Sequence, residues 1–152
     1  MDTVRQLADE FVMTTQIAPA DLGPISERGI NTIINLRPDG EGEAQPASED
    51  IALEAARRGI DYHHIPIAPG QVQDHHVDSF AAIMEEAGRP VLGFCGSGNR
   101  VATVWALYEA ERGAIDSILE RTAACGYDLS RLRNKMQARQ PRCRPPPRRR
   151  PQ

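Results

Sequence analysis

Short runs of aliphatic and β-branched residues alternate along this chain with longer stretches patterned for helices, and that alternation constrains its fold most. The runs are "FVMTTQIA" (11–18), "INTIINL" (30–36), "IDYHHIPI" (60–67) and "RPVLGF" (89–94). Between and after them lie "PADLGPISERGI", "EDIALEAARRG", "HHVDSFAAIMEEAG", "RVATVWALYEAERG", "AIDSILERTAACG" and "DLSRLRNKMQAR". Val77, Phe80, Ile83 and Met84 recur at helical spacing, while Ala18–Pro19 suits a helix start, Ser48 and Asp74 suit N-caps, and Gly29 and Gly59 suit helix ends. Strands alternating with helices predict a single α/β domain, its largely parallel sheet of about four or five strands covered on both faces. A chain of 152 residues suits one such domain. Aromatics make up only 5%, so the core is expected to be aliphatic, with Trp105 and Tyr108 inside it.

Charge divides the chain. Residues 1–138 carry 12 basic and 21 acidic side chains, a formal −9, whereas residues 139–152, "RQPRCRPPPRRRPQ", hold six arginines and no acid. The expected organisation is therefore a domain over 1–138 and a disordered Arg/Pro-rich tail over 139–152. Nucleic acid is a partner only through that tail, if at all. No apolar run approaches a membrane span. The acidic start "MDTVRQLADE" lacks the basic and apolar regions of a secretory signal, so the expected location is cytoplasmic.

Among three cysteines, Cys143 falls in the tail and Cys125 in "TAACGYDL" has the look of a packed residue near a helix end. Cys95 differs. It ends the strand "VLGF" and opens "CGSGNR", which leads into a helix. In α/β sheets, sites form where strand C-termini meet helix N-termini. Gly96 and Gly98 allow a turn that aims successive N–H groups inward as an anion cradle. The helix beginning near Arg100 adds its positive end. Both effects favour a thiolate, and Arg100 supplies a planar fork for a tetrahedral oxyanion. The plain alternative is a small core cysteine beside a turn. Two glycines, Ser97, Asn99 and Arg100 within six residues are hard to explain by packing. Covalent catalysis on an anionic group, with Gly96, Ser97, Gly98 and Asn99 lining the substrate, is the stronger reading.

The histidine pairs His63–His64 and His75–His76 do not suit a metal. Neighbours on a strand point to opposite faces, and neighbours on a helix lack the i, i+4 spacing. Neither a metal nor another cofactor is expected.

The segments "FCGSGNRVATVWALYEA", "QIAPADLGPISERGINTIINLRPDGEGEAQP" and "ACGYDLSRLRNKM" resemble, in that order, the phosphatase-like domain of beta-lactamase-hydrolase-like proteins. The resemblance implies a fold like that of the dual-specificity and tyrosine phosphatases, with Cys95 as nucleophile and Arg100 as substrate-binding arginine. It also implies that Arg37 and Asp39 of "NLRPDGE" line the cleft; a loop salt bridge is the alternative for both. Several positions depart from the phosphatase pattern. Four residues rather than five separate Cys95 from Arg100, as in rhodanese-like sulfurtransferases. Phe94 and Val101 stand where phosphatases usually carry a histidine and a hydroxyl, and Pro69 where an acidic residue often lies. Asp74 is the nearest substitute acid, with Asp39 and Glu41 more distant. The expected function is a cysteine-dependent phosphatase-like hydrolase acting on a small anionic or phosphorylated substrate. The alternatives are a sulfurtransferase carrying a persulfide on Cys95, and a catalytically weak anion-binding module.

Overall fold

A computed structural model describes residues 4–141. Five strands form one sheet: β1 (Arg5–Ala8), β2 (Phe11–Thr14), β3 (Thr32–Asn35), β4 (Asp61–His64) and β5 (Val91–Phe94), in the order β1-β2-β5-β3-β4. The four strands β2 to β5 are mutually parallel, and β1 runs antiparallel to β2. The helices are α1 (Leu22–Glu27), α2 (Ser48–Arg57), α3 (Asp74–Glu86), α4 (Asn99–Glu109), α5 (Ile115–Ala124) and α6 (Arg133–Arg139).

Period-2 alternation sends successive strand side chains to opposite faces. Ile33, Leu92 and Phe94 pack with Leu22, Ile25, Ile51 and Ala55 from α1 and α2. Ile34, Val91, Phe11 and Met13 pack with Val77, Phe80, Val101, Trp105 and Met136 from the helices on the other face. Trp105 and Tyr108 are both buried there. The result is the layered α/β arrangement that the alternation predicts, with β5 near its middle.

Register places the site. Phe94 lies beside Thr14 on one side and Asn35 on the other, and Asn35 beside His64. The four parallel strands therefore end level, and the segments leaving them, at Gln16, Arg37, Ile65 and Cys95, emerge along one edge. This is where α/β sheets bind ligands.

Three expectations change. β1 adds an edge strand that the sequence pattern did not mark. Ser48 and Asp74 are the first residues of α2 and α3 rather than their caps, which fall at Ala47 and Gln73 in extended backbone; the Ser48 N–H is received by Asp39 Oδ1 at 2.8 Å, so that end is satisfied from nine residues upstream. Lastly, the fold runs past residue 138. Arg139 ends α6 with its side chain buried, and Gln140 is buried after it, so helix and burial continue past residue 138. The remainder of the Arg/Pro tail, with Cys143, lies outside the described residues. Among the described residues no helix is long and apolar enough to cross a membrane.

Candidate active site

Cys95 follows β5 directly and is buried, and its Sγ accepts the N–H of Gly98 at 3.1 Å. Gly98 precedes α4 with φ of 89°, a left-handed conformation that glycine adopts without strain. A Cβ there would collide with the Tyr127 hydroxyl and lie 2.7 Å from Met13 Cε. Tyr127 Oη donates to the Ser97 carbonyl at 2.8 Å and so pins the outer side of the loop. Burial pushes the Tyr127 phenol up, and the charge of Cys95 adds to the effect.

Two arginines meet above this loop. A Cβ on Gly96 would lie 3.2 Å from Arg100 Nη2 and 3.3 Å from Arg37 Nε. Arg100 is 7% exposed. Its Nη1 donates to the Ile67 carbonyl at 2.8 Å and to Glu41 Oε2 at 2.8 Å, and its Nη2 donates to Glu41 Oε1 at 2.7 Å. Arg37 Nε donates to the same Oε1 at 2.8 Å, and Arg37 Nη1 to Gln16 Oε1 at 3.1 Å. The bond to Arg100, helped by Arg37, lowers the Glu41 carboxyl to about 2, although burial opposes this. In return Glu41, and after it the charge of Cys95, push the Arg100 guanidinium further up. Charge-assisted, bidentate pairs of this kind fix geometry as well as charge.

The loop carrying Arg37 and Glu41 is held from below. Asn35, buried at the end of β3, donates to Tyr62 Oη at 2.9 Å and receives the Arg37 N–H at 2.8 Å. Tyr62 Oη and Ser48 Oγ share a hydrogen bond of 2.7 Å. His64 Nε2 lies 2.7 Å from the Arg37 carbonyl. Gln45 Oε1 receives the N–H groups of Glu41 and Gly42 at 3.1 and 3.0 Å, and its Nε2 donates to the Pro38 carbonyl at 2.8 Å. His63, on the other face of β4, instead lines a groove with Ala82 and Ile83 of α3.

Cys95, Gly96, Ser97, Gly98, Asn99, Arg100 and Arg37 thus come together, and two expected residues do not. Asp39 turns away to cap α2. Asp74 begins α3, borders a groove beside Leu107 and Ala138, and gives its carboxylate to Arg139 Nη1 at 2.9 Å. Leu107 is about two turns along α4 from Arg100, so Asp74 is not part of the loop. Glu41, Gln16, Ile67 and Tyr127 complete the surroundings; of these, sequence considerations touched only Glu41, as a remote acid.

A mostly parallel five-stranded sheet with helices on both faces is the fold of the tyrosine-phosphatase-like phosphatases. Within that class the chain belongs to a family defined as the phosphatase-like domain of beta-lactamase hydrolase-like protein, whose pattern matches residues 3–112. The beta-lactamase hydrolase-like protein of Agrobacterium fabrum is 36% identical over 131 residues, which are 85% of this chain but only 30% of that protein. The counterpart from Xylella fastidiosa is 32% identical over 108 residues, 70% of this chain and 25% of its own length. The chain therefore spans about a third or less of these relatives. A candidate phosphatase of known structure from Neisseria meningitidis is 31% identical with a TM-score of 0.79, covering 90% of this chain and 98% of its own. The core catalytic domain of a PP-IP phosphatase from S. cerevisiae shares the fold at a TM-score of 0.66 and 15% identity, over 90% of this chain and 82% of its own.

Proposed function

We propose that this phosphatase-like domain is a cysteine-dependent phosphatase with Cys95 as nucleophile and Arg100 as the anion-binding arginine. The observation that carries the proposal is that Cys95 Sγ and the Arg100 and Arg37 guanidinium groups converge on one glycine-built loop. A phosphoryl group entering there meets the loop N–H groups and a guanidinium plane already fixed by Glu41. The Cys95 thiolate attacks phosphorus, the bond to the leaving oxygen breaks, and a phosphocysteine forms. Water then attacks that phosphorus, releasing inorganic phosphate and restoring the thiolate.

No protonated carboxyl faces the leaving oxygen in this scheme. Asp74 is engaged by Arg139 and Glu41 is held ionised. The leaving oxygen departs as an anion or takes its proton from water, so leaving groups of low pKa are favoured. Aryl phosphates and phosphoanhydrides are preferred over alkyl phosphates.

The test is phosphate release from a small aryl phosphate, alongside thiocyanate formation from thiosulfate and cyanide. The expected result is phosphate release that falls roughly 10³-fold or more in Cys95→Ser. Thiocyanate formation without phosphate release would overturn the proposal in favour of sulfur transfer, which the four-residue spacing from Cys95 to Arg100 also suits. Stabilisation by inorganic phosphate with neither reaction would leave only an anion-binding module.

A further inference from the structure

Beside the cysteine loop lies a cavity of about 150 Å³. Asn99, Arg100 and Thr103 of α4 line it on one side, with Gly70 from the loop before α3. Arg131, from the turn before α6, and Lys135, on α6, line the opposite side, with apolar Val72, Leu107 and Leu132 between. The cavity follows α4 from Arg100 to Leu107, about 10 Å at the rise of an α-helix. It therefore starts at the arginine of the proposed phosphoryl site and leads away from it.

Charge marks this cavity out. Arg133, also on α6, pairs with Asp116 at 2.9 Å, and Arg139 pairs with Asp74, Asp78 and Glu111. By contrast, among the described residues no carboxylate lies within 4 Å of Arg131 or of Lys135, the chain's one lysine. Arg131 Nη1 donates only to the Asp128 carbonyl, at 3.3 Å, while the Asp128 carboxylate receives the Ser130 N–H at 3.1 Å. Asp74, which borders the adjoining groove with Lys135, is turned onto Arg139. Lys135, and Arg131 with only the more distant Asp128 carboxylate acting on it, thus face a narrow cavity as exposed cations in a domain with a large acidic excess. Cations lining a concave surface concentrate anions there, and an arginine fork with a lysine ammonium suits phosphate oxygens.

We infer that this cavity is a second anion subsite, and that the substrate is a small molecule carrying two phosphoryl groups. One phosphate sits at Cys95 and Arg100, the other at Arg131 and Lys135. The inference rests on the proposed phosphatase site for the first phosphate only.

Binding tests it without turnover. Cys95→Ser is titrated calorimetrically, at fixed ionic strength, with a hexose 1,6-bisphosphate and with the matching hexose 6-phosphate. The same titrations follow on Cys95→Ser combined with Arg131→Gln and Lys135→Gln. The expected result is that the bisphosphate binds at least tenfold tighter than the monophosphate, and that this ratio drops below threefold when both cations are removed. A control combining Cys95→Ser with Arg57→Gln and Arg58→Gln removes two cations far from the cavity and keeps the ratio. Equal affinities for the two sugars, or a ratio lost equally in the control, would overturn the subsite. A bisphosphate advantage that depends on Arg131 and Lys135, in a protein that releases no phosphate, would sink the phosphatase proposal and leave the subsite standing.

Discussion

Glu41 organises the centre of the site, because each of its carboxylate oxygens is bound to a guanidinium. Oε1 accepts from Arg100 and Arg37, and Oε2 accepts from Arg100. Its carboxyl is lowered from 4.5 to about 2 by the hydrogen bond from Arg100 foremost. A carboxyl whose folded pKa is depressed contributes stability above its unfolded pKa and loses it as pH falls through the folded value. Glu41 should therefore stabilise the fold fully above about pH 4.5 and cease to do so near pH 2. Thermal unfolding of wild type and Glu41→Gln from pH 6 to 2 checks this: the gap between their melting temperatures should narrow across that window. Parallel curves would show that the pair contributes no pH-linked stability. The reason Glu41 is hard to find in sequence is its distance from its partner, 59 residues along the chain. Cys95 and Arg100, in contrast, lie within one turn and carry their own signature. Asp39 misleads for a related reason, since a polar residue in a loop after a strand reads as a cleft residue until a helix N-terminus claims it.

The loop into α4 depends on a glycine at an element boundary. At Gly98 both backbone and space exclude a side chain, because φ is 89° and the Tyr127 hydroxyl occupies the direction of a Cβ. Gly98→Ala should cost about 1–3 kcal/mol and disturb the Gly98 N–H that reaches Cys95. Combining it with Tyr127→Phe separates the hydroxyl collision from the rest, since losing the hydroxyl removes the tightest contact but neither the dihedral strain nor the contact with Met13 Cε. Urea unfolding of the two single variants and the double variant should show partial recovery in the double; none would mean that the hydroxyl collision adds nothing to the dihedral strain and the Met13 contact. Elements with strong patterns, β3, β5, α3 and α4, were legible because apolar periodicity is a local property. The edge strand β1 was not, because it is four residues long with Arg5 and Gln6 exposed and only Leu7 buried. Its strand character comes from pairing with β2 rather than from its own residues.

At the scale of the whole molecule, the sequence marks the place where the domain ends less well than it marks the order of its layers. Composition places the boundary before Arg139, since an arginine followed by proline-rich sequence looks like the start of a tail. Burial places the boundary later. The Arg139 side chain is 8% exposed, and it joins Asp74 and Asp78 of α3 to Glu111, just beyond α4, at 2.9–3.0 Å. Gln140 Nε2 then donates to the Gly113 carbonyl at 3.2 Å. Arg139 thus ties α6 back to the start of α3 and the end of α4. Asp74 and Asp78 are 85% and 69% exposed, so solvent screens much of their attraction. The buried guanidinium and the packing beneath it carry most of the effect. A chain ending at residue 138 should be less stable than one ending at residue 141 by about 1–3 kcal/mol. The measurement is the urea midpoint of the two chains, which should differ while the slopes agree. Equal midpoints would mean that the tie contributes nothing. A change of slope would instead mean that α6 itself comes away once Arg139 is lost, so that the tie holds the whole helix and not only its end.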